Sequence, residues 1–462
     1  MIHQYKLMGK NIVIDADSGC IHDVDDVAYD AIAAAAGDYD ADRLIGSLLE
    51  KYAEDESVTR AELTELLGDI EALRADGRLY SEDLTRYIPQ PEPTSDADAQ
   101  RVIKALCLHV AHTCNLTCDY CFADKGKYHG DAALMSLATA RRAVDFLIEA
   151  SGSRRNLEVD FFGGEPLLNW DVVRETVLYA REAEKARGKN FRFTLTTNGV
   201  LLDDEVTDFC NKEISNVVLS LDGRRETHDA RRKTPSGAGS YDAIIPHFRR
   251  FVDRRQGEYY IRGTYTAQNR DFTEDILHIA GLGFTEIAME PVVSSGDTSN
   301  NPLALSESHL PELFNEYERL AAEMARRAEN GEPFTFYHYI LDLENGPCLQ
   351  KRVRGCGSGS EYFAVTPEGE LYPCHQLVGE DGFSAGDIWT GVREDFSFSR
   401  AAINKRDECR ECWARLYCSG GCAANAYHAT GDSDGVYKLG CELFKKRLEC
   451  AVWLKCVADE SD

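Results

Sequence analysis

The sequence has no apolar run near the eighteen or so residues of a membrane span, so no membrane partner is expected. Its opening, MIHQYKLMGKNIVIDADSG, lacks an apolar signal core followed by a small-residue cleavage site, and the expected location is the cytoplasm. Long biased tracts and internal repeats are missing, which argues against disordered, fibrous and solenoid classes. A basic excess is missing as well. With 51 Lys and Arg against 79 Asp and Glu, the net charge of -28 repels phosphate backbones, so nucleic acid is not an expected partner.

What is present is length and cysteine. At 462 residues and 43% hydrophobic, the chain exceeds one ordinary core and predicts two or three domains. Of its 16 cysteines, ten follow residue 345. In a long chain without an export signal this points to metal rather than disulfides.

Residues 1–88 read as a small module. The strand-like runs HQYKLMG and NIVIDADSG precede helical stretches near 25–36, 41–53 and 58–76, and GRLYS (77–81) is expected as a third strand. Helices with a small sheet suggest a winged-helix-like fold whose open edge accepts an extended peptide. Residues 1–100 hold 23 acids and 8 bases, a field suited to a cationic partner or to solubility alone. Residues 89–101, proline-rich and acidic, read as a linker. From 102 to 330, strand-like runs at 105–112, 157–162, 191–197, 216–221, 258–266 and 286–293 alternate with helical stretches. This predicts an α/β fold, a partial (β/α)6 barrel with chemistry at the C-terminal strand ends. Residues 331–462, Gly-rich and Cys-rich, are expected to lean on metal.

After the first barrel strand stands HTCNLTCDYC, with Cys114, Cys118 and Cys121 spaced CxxxCxxC. Three thiolates can hold three irons of a [4Fe-4S] cluster and leave the fourth open. Zinc would need a fourth ligand, and His109 or His112 could supply one. At the next strand end, FFGGEP places Gly163 and Gly164, where a ligand can approach the backbone, beside Glu165, a carboxylate suited to an amino group.

These residues resemble the radical S-adenosylmethionine (SAM) superfamily over roughly 105–300, with Tyr120 as the aromatic of the cysteine motif. The resemblance implies that the open iron chelates the methionine part of SAM and that Gly163, Gly164 and Glu165 hold its amino group. TTNG (196–199), SLDG (220–223) and HDARR (228–232) match further, implying that Ser220 and Arg232 contact the SAM ribose and carboxylate. The C-terminal pattern resembles the SPASM extension, which carries two auxiliary [4Fe-4S] clusters, three clusters in all. That resemblance implies one on Cys356, Cys374 and Cys422 and one on Cys409, Cys412, Cys418 and Cys441, with Cys348 an open candidate for a fourth ligand of the former. Zinc ribbons are the competing reading. Cys20, Cys107, Cys210, Cys450 and Cys456 are expected as buried thiols.

The overall pattern is similar to the maturases of SCIFF peptides, small Cys-rich precursors with leaders. That similarity implies one-electron cleavage of SAM to a 5'-deoxyadenosyl radical, fed by a flavodoxin- or ferredoxin-type reductant, and a thioether bond from a peptide cysteine to carbon. The alternatives are an anaerobic sulfatase-maturating type making formylglycine, and a metal-cluster scaffold that binds peptide without catalysis.

Overall fold

The computed structural model describes residues 1–88, 102–294, 300–341, 349–398, 403 and 406–459. The expected linker at 89–101 and Cys348 lie outside the described residues.

The N-terminal module is a three-stranded antiparallel sheet, ordered β1 (Ile2–Leu7), β2 (Lys10–Asp15), β3 (Ile21–Val24), with α1 (Asp26–Ala34), α2 (Ala41–Lys51) and α3 (Arg60–Ala75). The third strand is therefore Ile21–Val24 and not 77–81. The latter segment is a turn in which Leu79 is fully buried and Tyr80 donates to the Ile32 carbonyl. Helix starts follow their caps: the Asp40 side chain accepts from Arg43 N, and Thr59 with Glu62 makes a reciprocal capping box. Strand β2 is buried on both faces. Val13 packs among the module's helices, while Ile12 and Ile14 join the main core. Such a strand reads as a continuous apolar run rather than an alternating one.

The main sheet contains β4 (Ala105–His112), β5 (Ala133–Leu134), β6 (Asn156–Gly163), β7 (Asn190–Thr197), β8 (Asn216–Ser220), β9 (Glu258–Tyr265) and β10 (Glu286–Pro291). Apart from β5, which pairs antiparallel with the end of β4, these strands are parallel, in the order β10-β9-β8-β7-β6-β4. Consecutive strands are neighbours, with intervening helices α4 (Leu137–Ala150), α5 (Trp170–Arg187), α6 (Asp204–Glu213), α7 (Arg225–Arg231), α8 (Tyr241–Arg254) and α9 (Phe272–Gly281). The expected α/β architecture with a central parallel sheet is present. Phe161, Phe193, Phe248 and Phe251 are fully buried in its core, each contributing about 2–3 kcal/mol by area removed from water.

The C-terminal third does not stand apart from this sheet. After α10 (Leu310–Glu329), β11 (Thr335–Phe336) pairs parallel with β10, and β12 (Tyr362–Val365) pairs parallel with β4. Three short antiparallel strands, β13 (Glu370–Tyr372), β14 (Gly386–Asp387) and β15 (Gly391–Val392), continue from β12. Both edges of the six-stranded core are thus covered, which removes unpaired edge groups. The helix Lys438–Asp459 packs on α10 and touches β1. Tyr5 donates to the Glu449 carbonyl at 2.9 Å, and the His3 ring stacks on Trp413 at 3.7 Å. With β1 engaged in this way, β3 is the remaining edge of the module's sheet. Arg415, between Cys412 and Cys418, pairs with Asp17 and Asp83 of the module. Among the described residues no helix is long and apolar enough to cross a membrane.

Candidate functional site

A cavity of about 1280 Å³ lies at the C-terminal ends of the barrel strands and extends into the Cys-rich segment. Cys114, Cys118 and Cys121 line it from the loop after β4, Gly163, Gly164 and Glu165 from the end of β6, and Ser220 and Arg232 from β8 and the turn after α7. Cys409, Cys412, Cys418, Cys422 and Cys441 line the same cavity from the C-terminal side.

The strand ends are packed backbone to backbone. A Cβ on Gly163 would meet the Ala111 carbonyl oxygen at 2.3 Å, and one on Gly164 would meet that of Thr113 at 2.1 Å. Gly163 also has φ of +126°, so only glycine suits the crossing between the cysteine loop and the GGE turn. Glu165 follows, with 1% of its surface exposed. Its carboxylate accepts from Thr197 Oγ1 at 2.7 Å, Asn198 N at 2.7 Å and Leu167 N at 3.1 Å. Burial raises its pKa to about 7 against the opposing pull of those donors. An incoming ammonium would favour the ionised form.

Burial also raises Cys114 to about 12 and Cys118 to about 11, with Glu165 adding to the former and Arg232 partly relieving the latter. Unmetallated thiolates are thus disfavoured here, and coordination to a metal would reverse the balance. Three soft donors around one cavity, against a glycine cradle, fit the irons of a [4Fe-4S] cluster. The same electrostatics group the remaining cysteines. Cys374, raised to about 12 by burial, feels Cys422 and Cys356, while Cys441, likewise about 12, feels Cys418, Cys409 and Cys412. The described cysteines are all free thiols, and among the described residues no three His, Cys, Asp or Glu side chains converge on a single-ion position. Of the five cysteines expected as buried thiols, Cys107, Cys210 and Cys450 are buried, but Cys20 and Cys456 are partly exposed.

His109 and His112 bond each other, Nδ1 to Nε2 at 3.2 Å, and both rings pack on Tyr128. Burial holds His112 down at about 4 and His109 well below its usual value, so both are neutral. They brace β4 rather than joining the cysteine loop.

Two groups that sequence reasoning passed over organise the site. Asp222, fully buried, accepts from Arg232 Nε at 2.9 Å, Arg232 Nη2 at 3.0 Å, Thr264 N at 3.0 Å and Tyr120 Oη at 2.5 Å. Arg232 therefore belongs to a buried ion pair, and Tyr120 reaches that pair through its hydroxyl. Asn198 donates to Asn115 Oδ1 at 2.7 Å and lies 3.7 Å from Cys114 Sγ, fixing the first turn of the cysteine loop. Both stand inside the TTNG and SLDG motifs, the only sequence signal they gave.

The Radical SAM superfamily model matches residues 108–283. The chain belongs to the radical SAM superfamily. An uncharacterized protein of Methanocaldococcus jannaschii, MJ0907, is 30% identical over 60% of this chain and 86% of its own. The radical SAM cyclopropyl synthase TigE of Paramaledivibacter caminithermalis is 22% identical over 74% and 72%. A cysteine-type anaerobic sulfatase-maturating enzyme of Clostridium novyi is 26% identical over 73% and 91%. Among solved structures, anSMEcpe with bound AdoMet aligns over 77% of this chain and 99% of its own, with a TM-score of 0.64 and 21% identity. Streptococcus suis SuiB bound to precursor peptide SuiA aligns over 92% and 94%, with a TM-score of 0.52 and 14% identity. A radical SAM domain implies a [4Fe-4S] cluster and SAM as cofactors.

Proposed function

We propose that this radical SAM protein matures a ribosomally made, Cys-rich precursor peptide by forming a thioether from a cysteine sulfur to carbon. One observation carries the reading: the Cys114, Cys118 and Cys121 loop, the GGE turn and a second group of cysteines all line one cavity. Cys114, Cys118 and Cys121 would hold the SAM-binding cluster, which when bound supplies one-electron cleavage of SAM. Gly163 and Gly164 leave room for the methionine part, and Glu165 takes its amino group. Asp222 keeps Tyr120 and Arg232 fixed beside Cys118. Cys356, Cys374 and Cys422, and separately Cys409, Cys412, Cys418 and Cys441, would hold two auxiliary clusters in a SPASM-type extension.

Residues 1–88 serve as a winged-helix-like recognition element, taking the leader as an added strand on β3. The extent of the likeness to SuiB supports this, since 92% of the chain cannot be reached without part of that module. The sulfatase-maturating reading draws on the similarity to the Clostridium novyi enzyme but leaves the docked module without a task.

The test is anaerobic reconstitution with iron, sulfide and reductant, followed by SAM and a Cys-rich peptide encoded nearby. The expected products are 5'-deoxyadenosine and a peptide lighter by two hydrogens per cross-link. Replacing Cys114, Cys118 and Cys121 together by Ala should abolish 5'-deoxyadenosine while iron stays on the other sites. Full SAM cleavage by that variant sinks the assignment, and a hydrazide-reactive aldehyde in the peptide would favour formylglycine.

A further inference from the structure

The far side of the sheet from β4 carries a group of charges that the proposed chemistry leaves unused. Arg262 of β9, Glu290 of β10, His338 after β11 and Arg447 of the helix Lys438–Asp459 all line the cavity. Glu290 Oε1 lies 3.2 Å from His338 Nε2, and its Oε2 lies 3.7 Å from Arg447 Nη1. Among the described residues the buried Arg447 Nε has no hydrogen-bond partner. Arg262 sits level with Ser220 in the β8 to β9 register. Among the described residues its guanidinium has no hydrogen bond and no ion pair within 4.0 Å.

The charges do not balance. His338 is kept neutral by burial, which outweighs the pull of Glu290 and brings it to about 4. Within this group of four, one carboxylate therefore stands against two guanidiniums. A guanidinium without a countercharge is open to an anion, and its fork matches the two oxygens of a carboxylate. Arg232, the group expected to receive the SAM carboxylate, has its Nε and Nη2 edge taken by Asp222.

We infer that Arg262, together with Arg447, forms a carboxylate-binding subsite on the β9 and β10 wall of the cavity. The inference rests on the proposed function, because that reading names the two carboxylates that can arrive: the methionine carboxylate of SAM and an acidic side chain of the peptide. Ser220, at the same level on the neighbouring strand, can complete the contact with a hydroxyl donor.

The test compares four probes by calorimetry on the reconstituted full chain. They are SAM, decarboxylated SAM, and two blocked Cys-containing pentapeptides that differ only by Asp or Asn. Wild-type protein should prefer at least one acid over its neutral counterpart, and Arg262→Gln should reduce that preference about tenfold or more, with Arg262→Lys retaining part of it. Arg447→Gln, run in parallel, carries the same expectation with a smaller loss and serves if Arg262→Gln does not fold. Selective weakening of SAM assigns the subsite to the cofactor, and selective weakening of the Asp peptide assigns it to the substrate. The inference is overturned if wild type has neither preference, if the variants keep both within twofold, or if all four probes weaken alike. Wild-type protein that cleaves SAM but has neither preference overturns the subsite alone. Protein that cleaves no SAM but prefers Asp to Asn overturns the functional reading alone.

Discussion

Replacing Asp222 by Asn keeps the shape of the side chain but strips the countercharge from Arg232. Asp222 is fully buried, and the Arg232 side chain is 12% exposed. The guanidinium would be left with one neutral acceptor where it had a bidentate carboxylate. Breaking a buried pair from one side costs about 3–5 kcal/mol, most of it the unpaired charge. Tyr120 Oη donates to one carboxylate oxygen and Thr264 N to the other, so the single amide oxygen keeps one of these donors and a cost of at least about 3 kcal/mol is expected. At roughly 2–4 °C per kcal/mol for a cooperative unit of 150–250 residues, the melting midpoint of the metal-free protein should fall by about 6–12 °C. A second replacement, Arg232→Met, removes the stranded charge, so the double variant should melt higher than the sum of single losses predicts. The acid limb adds a check of sign. Burial alone would raise Asp222, but Arg232 more than reverses this and holds the carboxyl below its usual range. Its folded value therefore lies under the unfolded one, so the pair contributes fully above about pH 4 and is lost as pH falls further. Asp222→Asn should lose that part of the acid sensitivity. A midpoint within about 2 °C of wild type, or strictly additive single and double variants, would refute the claim that this pair holds the site together.

Two other perturbations test the frame around the site. Asp17→Asn removes a carboxylate from Arg415, both side chains being 4% exposed; with Asp83 still 3.0 Å away the cost should be about 2–3 kcal/mol, read as earlier proteolytic release of residues 1–88, and unchanged protease resistance would falsify it. Glu165→Gln probes the raised carboxyl. Between about pH 4.5 and 7 the folded state keeps a proton that the unfolded state has released, so wild-type stability should fall with rising pH by roughly 2–3 kcal/mol across that window; the variant should lack this slope, and an equal slope in both proteins excludes Glu165 as its source.

The parts of this molecule that were legible in its sequence are those whose partners are close in sequence or whose burial is two-sided. The barrel strands declared themselves as apolar runs between amphipathic helices, and Cys114, Gly163 and Ser220 could be placed because they end those runs. Strand β3 could not. IHDV is short and half polar, and only its pairing with β2 makes it a strand. GRLYS offered a better β pattern, yet Leu79 and Tyr80 spend their apolar surface plugging the module's helices. The pairing of β11 and β12 with the barrel sheet was not legible for a related reason: they are two and four residues long, and their partners β10 and β4 lie tens and hundreds of residues away. Asp222 is the sharpest case. Its donors come from Tyr120, Arg232 and Thr264, on three different elements, so nothing near SLDG distinguishes a buried counterion from a surface acid. Arg232 stands among charged sequence neighbours, and that its guanidinium pairs with Asp222 is visible only in the fold. Arg262 is a second such case: among the described residues its guanidinium has no hydrogen bond and no ion pair within 4.0 Å, and that isolation too is visible only in three dimensions.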